Sequence, residues 1–191
     1  MEKAVSFIKK IFIIIAIALF LMELLKNNWF YAMYALMIIP ITLAFDIIKK
    51  LTKLRIAPPL ELMYLTFIFF AEIIGINLRA YYFLPVYDKI MHLVSGALTA
   101  VLALILLHHF KIPSNKKSFC IIFAFSLTAG VAVAWEIFEY VVDFFGGDMQ
   151  RARTRGINDT MLDMIAAIAG SALVLLFYRR SKKVVEQRRN S

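Results

Sequence analysis

Six stretches of this chain are apolar for long enough to cross a lipid bilayer, and no other feature constrains its fold as tightly. A hydrocarbon core about 30 Å thick takes roughly 20 residues of helix to cross. Inside it every backbone amide must find its partner within the protein, which segments of this length do as helices. The expected spans are 5–25, 29–48, 59–77, 88–109, 118–145 and 159–178. The first is short enough to mimic a signal-peptide core, but no small-x-small cleavage site precedes Lys26, so it is read as retained. Five spans, with that first segment lying at the interface, is the alternative. Connections are short, and neither an internal repeat nor a low-complexity tract interrupts them. The expectation is a single integral membrane domain over 1–191, an all-α multi-pass helix bundle.

Composition agrees. Apolar residues make up 62% and charged residues 18%, against about 45–50% and about 25% in soluble domains. That excludes an ordinary soluble enzyme, a disordered segment and a fibrous repeat. One Cys in 191 residues excludes a disulfide framework and a thiolate metal cluster. The 22 basic and 13 acidic residues leave a net charge of +9. In a soluble protein such an excess points to nucleic acid; here the lipid bilayer is the expected partner and nucleic acid is not.

Lys and Arg set the expected orientation. With the N-terminus inside, 16 of the 22 basic residues fall on the inner side, in the two termini and in the loops holding Lys49 to Arg55 and Lys111 to Lys117. Only Lys26, Arg79, Lys89, Arg151, Arg153 and Arg155 fall outside. The asymmetry predicts cytoplasmic termini.

Acidic residues then sit where a bilayer penalises them. Asp88 and His92 open the fourth span, Glu136 and Glu139 lie late in the fifth, and Asp159 and Asp163 open the sixth. Glu72, late in the third, falls at the same outer level. A charged group near a helix centre costs about 3 kcal/mol even on the gentler insertion scale. Asp88/His92 and Asp159/Asp163 are i,i+4 pairs and Glu136/Glu139 an i,i+3 pair, so each pair shares one helix face. Small residues at Gly96 and Ala100, Gly130 and Ala134, and Ala166 and Gly170 would let these helices approach closely.

Plainer roles compete for each residue. Asp88 and Asp159 suit helix N-caps or first-turn acids favoured by the helix dipole. His92 suits an interhelical hydrogen bond. Glu136 and Glu139 approach a helix C-terminus, where the dipole disfavours them, yet pairing with Lys89 or a loop arginine would explain them. Glu72 reads best as a partner of Arg79. Read as a site, Glu136, Glu139, Asp163, His92, Asp88 and Asp159 are catalytic candidates. Glu136, Glu139, Asp163 and His92 form a hard oxygen and nitrogen donor set for Mg, Mn, Ca or Zn. In the loop before the sixth span Arg151, Arg153 and Arg155 alternate, so an extended segment would put them on one side. With Lys89 they are candidates for gripping an anionic substrate, arginine being the side chain best matched to phosphate or carboxylate. A solvated loop touching headgroups is the plainer alternative.

Tyr87-Asp88-Lys89-Ile90-Met91-His92 followed by Ser95-Gly96, Trp135-Glu136-Ile137-Phe138-Glu139, and Asp159-Thr160-Met161-Leu162-Asp163-Met164 resemble, in that order, the signature segments of the bacterial YjdF-like inner-membrane family. The resemblance covers roughly Ala80 to Tyr178. The chain departs from it at Arg155-Gly156-Ile157-Asn158, where the family pattern has Gly-Asp-x-Trp, which removes an acid and a Trp. The order of features is similar, more distantly, to VanZ-like membrane proteins. The resemblance implies a multi-pass protein of the bacterial inner membrane and these polar positions, but no reaction.

Three functions fit. One is a metal-dependent enzyme at the outer face acting on a phosphorylated or lipid-linked substrate. Another is an accessory or binding protein whose polar cluster fixes helix packing. The third, a cation or proton carrier, requires polar residues continuing inward, where the sequence offers few beyond Asp46 and Glu61.

Overall fold

In a computed structural model, residues 1–84, 86–112, 117–145, 147 and 156–189 are described, with side chains to residue 179. The described residues form helices alone: α1 (Glu2–Leu25), α2 (Trp29–Thr52), α3 (Pro58–Ile68), a π-helical segment (Phe69–Asn77), α4 (Ala80–Phe83), α5 (Tyr87–His109), α6 (Lys117–Phe144) and α7 (Gly156–Arg189). Six helical stretches are long and apolar enough to cross a membrane: Glu2–Leu25, Trp29–Thr52, Pro58–Asn77, Tyr87–His109, Lys117–Phe144 and Gly156–Arg179. The all-helical, multi-pass expectation holds. The first segment runs a full 24 residues, and α7 starts at Gly156, ahead of the expected 159.

Helix ends follow local chemistry. Pro58 and Pro59 open α3, where a missing N–H costs nothing. Lys53 closes α2 with φ of 57°, its N–H bonded to the Lys49 carbonyl. Pro40 sits inside α2 and removes the donor that would meet the Leu36 carbonyl.

The backbone clusters into two compact units, Met1–Asp88 and Lys89–Ser191. In the first, Val5, Phe12 and Ala16 of α1 pack with Ile38 of α2, Leu65 and Ile68 of α3, and Ile73 of the π-helical segment. Phe45 stacks on Tyr64 with ring centroids 4.2 Å apart, and the Tyr64 hydroxyl donates to the Ile41 carbonyl. In the second, the core is built on smaller side chains, with Ala103 of α5, Ala124 of α6 and Leu175 of α7 at its centre. Large apolar side chains such as Ile14, Ile137, Ile165 and Phe177 are exposed. This is the surface of a protein whose solvent is lipid, where apolar burial no longer drives helix association.

Close backbone packing does that work instead. A Cβ on Gly96 of α5 would lie 1.9 Å from the Ala167 carbonyl oxygen of α7, and one on Gly170 would lie 1.9 Å from the Leu93 oxygen. The Gly96/Ala100 face is therefore an interface, as its spacing predicts. Two corrections follow. Opposite Gly96 the small residue is Ala167 rather than Ala166, because Ala167 is the one turned inward. Gly130 and Ala134 are exposed, and a Cβ on Gly130 would meet nothing within 4 Å.

Candidate functional site

The second unit brings polar faces of three helices together. From α5, the Lys89 ammonium lies 2.6 Å from both Asp159 Oδ1 and Asp163 Oδ1 of α7. His92, one turn along α5, places Nε2 3.8 Å from the same Asp163 oxygen and 3.9 Å from Glu136 Oε1 of α6. His92, Glu136, Glu139, Asp159 and Asp163 are all buried. The Trp135 indole N–H donates to Glu139 Oε1 at 2.7 Å, an i,i+4 bond that fixes this carboxylate from within its own helix.

Asp88 and Asp159 lie within the first turns of α5 and α7, where the helix dipole favours an anion. They are first-turn acids rather than N-caps. Asp88 is one turn before His92 on α5. Asp88, His92 and Asp163 each offer a ligand atom, and these three atoms lie within 4.8 Å of one another. The group whose geometry could hold a metal ion is thus Asp88 with His92 and Asp163. Arg151, Arg153 and Arg155 lie outside the described residues.

Lys89 binds Asp159 and Asp163 among the described residues, and the Arg79 guanidinium lies 4.8 Å over the Tyr31 ring. The expected Glu72–Arg79 pair is not formed. An Arg–aromatic stack lets the guanidinium stay near the surface, whereas reaching Glu72 would draw it into the apolar interior.

The first unit holds a polar site that the sequence reading missed. Lys9 of α1, 8% exposed, donates to both carboxylate oxygens of Asp46 on α2, at 2.8 and 2.7 Å, and to Glu61 on α3. Lys49 bonds the other Glu61 oxygen at 2.6 Å. The four side chains line a cleft of about 260 Å³ with Glu2, Ser6 and Pro58. Lys9 and Lys49, counted from sequence only among the inner-side basic residues, are interhelical ion-pair partners. The available signal was a Lys inside an apolar run with acids near the same ends of the two following spans.

Neither a curated protein nor a solved structure matches the chain. A family described as "Predicted membrane protein (DUF2238)" matches residues 7–183, which takes in all six spans apart from the first residues of α1, and every polar position above except Glu2 and Ser6. On that match the chain belongs to the DUF2238 family of multi-pass membrane proteins.

Proposed function

We propose that the protein is a membrane-embedded, metal-dependent enzyme acting at the outer face of a bacterial inner membrane on a phosphorylated or lipid-linked substrate. The approach of Asp88, His92 and Asp163 ligand atoms to within 4.8 Å of one another carries this reading. Ligand bonds of about 2.0–2.6 Å fit a single ion into such a group. Two carboxylates and an imidazole suit Mg, Mn, Ca or Zn, and such an ion would polarise a phosphoryl or carbonyl oxygen. Glu136, 3.9 Å from His92, is a further carboxylate placed to serve as ligand or proton acceptor. Lys89 bonds the same Asp163 oxygen that faces His92, fixing a ligand rotamer as outer-shell partners do. Arg151, Arg153 and Arg155, which precede α7 in the sequence, are the candidates for the anion grip. The YjdF-like segments lie inside the matched span and agree with these positions; the VanZ-like likeness carries no part of the proposal.

The orientation belongs to the same proposal. Of the six basic residues assigned outside, Lys26 pairs with Glu23, Lys89 with Asp159 and Asp163, and Arg79 stacks on Tyr31. Half of the exceptions to the charge rule are therefore engaged by the protein itself. A reporter active only in the cytoplasm is expected to work at Asn115 or after Ser191 and to fail at Gly147; activity at Gly147 overturns the orientation.

A second reading has its own observation. The Lys89 bridge to Asp159 and Asp163 ties α5 to α7, which favours an accessory protein whose cluster fixes packing. Elemental analysis of purified wild type, His92→Ala and Glu136→Ala separates the two. Stoichiometric divalent metal in wild type, lost in His92→Ala, supports the enzyme; metal in none of the three supports the packing role.

A further inference from the structure

Glu72 sits in the first unit on the π-helical segment, 4% exposed, and its Oε2 atom is buried with no hydrogen-bond partner. Asn77, 8% exposed, closes the same segment. Its amide nitrogen donates to the Glu72 carbonyl oxygen at 2.9 Å, and its Oδ1 is likewise buried without a partner. Two acceptor oxygens thus stand without donors on one nine-residue segment. The Leu78 N–H reaches back five residues to the Ile73 carbonyl, the wide-turn bonding that recurs at functional sites.

Packing does not demand an acid here. Ala71, Ile73 and Gly75 beside Glu72 are buried and apolar, and an unpartnered carboxyl among them is costly to keep. Hydrogen-bond donors are what the two oxygens lack, and a cation supplies the same need. We propose that Glu72 and Asn77 form a binding site, within the membrane-spanning part, for a small monovalent cation that exchanges with solution. A proton and a sodium ion share that chemistry. This inference is independent of the metal group proposed around His92 and Asp163.

The ionisable groups on elements packed against the segment do not compete for this role. On α3 the Tyr64 hydroxyl is committed to the Ile41 carbonyl, and Glu61 to Lys9 and Lys49. The segment also packs against α2, which carries Tyr31, Tyr34, Asp46, Lys49 and Lys50, and against α4, which carries Tyr81 and Tyr82. Tyr31 holds Arg79, while Asp46 and Lys49 belong to the Lys9 network. Tyr81 lies against Gly75, its ring 2.3 Å from where a Cβ would stand.

Dicyclohexylcarbodiimide tests the site, because it traps protonated carboxyls in apolar surroundings. The carboxyl O–H adds across one C=N bond, its proton passing to nitrogen, and acyl transfer from oxygen to nitrogen leaves a stable acylurea containing the whole reagent. Purified wild-type protein is labelled from pH 6 to 9 in choline chloride, with initial rates normalised to reagent decay and adducts mapped by mass spectrometry. The expected result is an adduct at Glu72, absent in Glu72→Gln, whose rate falls by up to about tenfold per pH unit on the alkaline side of its titration. Replacing choline by sodium at fixed pH slows labelling if sodium shares the oxygens and leaves it unchanged if the ligand is the proton alone. No adduct at Glu72, or labelling at a rate independent of both pH and sodium, overturns the proposal.

Discussion

Lys89 and Asp163, 74 residues apart in sequence, meet at 2.6 Å through the same carboxylate oxygen that faces His92. One oxygen therefore receives an ammonium and lies beside an imidazole, and Asp159 Oδ1 accepts from the same ammonium at 2.6 Å. The bridge holds the N-terminal turns of α5 and α7 together.

Lys89→Met leaves two buried carboxylates without their shared ammonium. Breaking a buried pair by removing one partner costs about 3–5 kcal/mol, more than deleting the whole pair. The variant should unfold at lower temperature in detergent, and Lys89→Met combined with Asp159→Asn and Asp163→Asn should recover much of the loss. A triple variant no more stable than Lys89→Met would show that the bridge is not what holds these helices.

Gly96 and Gly170 admit no Cβ, since each would meet a backbone oxygen of the facing helix at 1.9 Å. Gly96→Ala and Gly170→Ala should each destabilise by about 1–3 kcal/mol, the range of an overpacked core. Gly130→Ala, with open space around it, should be neutral or stabilising, because Ala is the better helix former. Thermal unfolding of the three single variants orders them, and equal effects at Gly96 and Gly130 would contradict the close crossing.

Lys9 and Lys49 share Glu61, but the Lys9 side chain is 10% exposed and that of Lys49 is 32%. Solvent screening weakens the outer pair, so Lys9→Met should cost several times more stability than Lys49→Met. Adding Glu61→Gln and Asp46→Asn to Lys9→Met should restore part of it. Similar unfolding temperatures for the two single variants would remove the distinction between buried and screened partners.

Arg155, four residues before Asp159, is the arginine expected to matter most for an anionic substrate. Gly156 after it has φ of 55°, a turn that L side chains avoid. If the guanidinium grips phosphate or carboxylate through paired parallel bonds, Arg155→Lys should lose function nearly as fully as Arg155→Ala, because an ammonium is a point donor. Headgroup attraction predicts instead that Lys suffices. Head-to-head assay of both variants, at matched expression and thermal stability, decides between them.

Much of the site was legible because helices convert spacing into facing. His92 and Asp163 are each one turn beyond a first-turn acid, and intramembrane polar groups seek one another, so their meeting followed from pattern and cost alone. Their particular partners did not. Lys89 was a candidate for holding Glu136, yet it binds Asp159 and Asp163, a choice set by which rotation of α7 brings Ala167 against Gly96. Glu139 was grouped with Glu136 by spacing, but a Trp four residues earlier in the same helix holds its carboxylate.

Chain-local physics determined the number of candidate spans, their helical character and the place of each charged residue along its helix, because bilayer thickness and backbone hydrogen bonding act on every segment separately. Tertiary structure alone decided which charges meet. Lys9 joins Asp46 and Glu61 across three helices, and Glu72 stays apart from Arg79, because both outcomes depend on helix rotation and crossing, which neighbouring backbones impose.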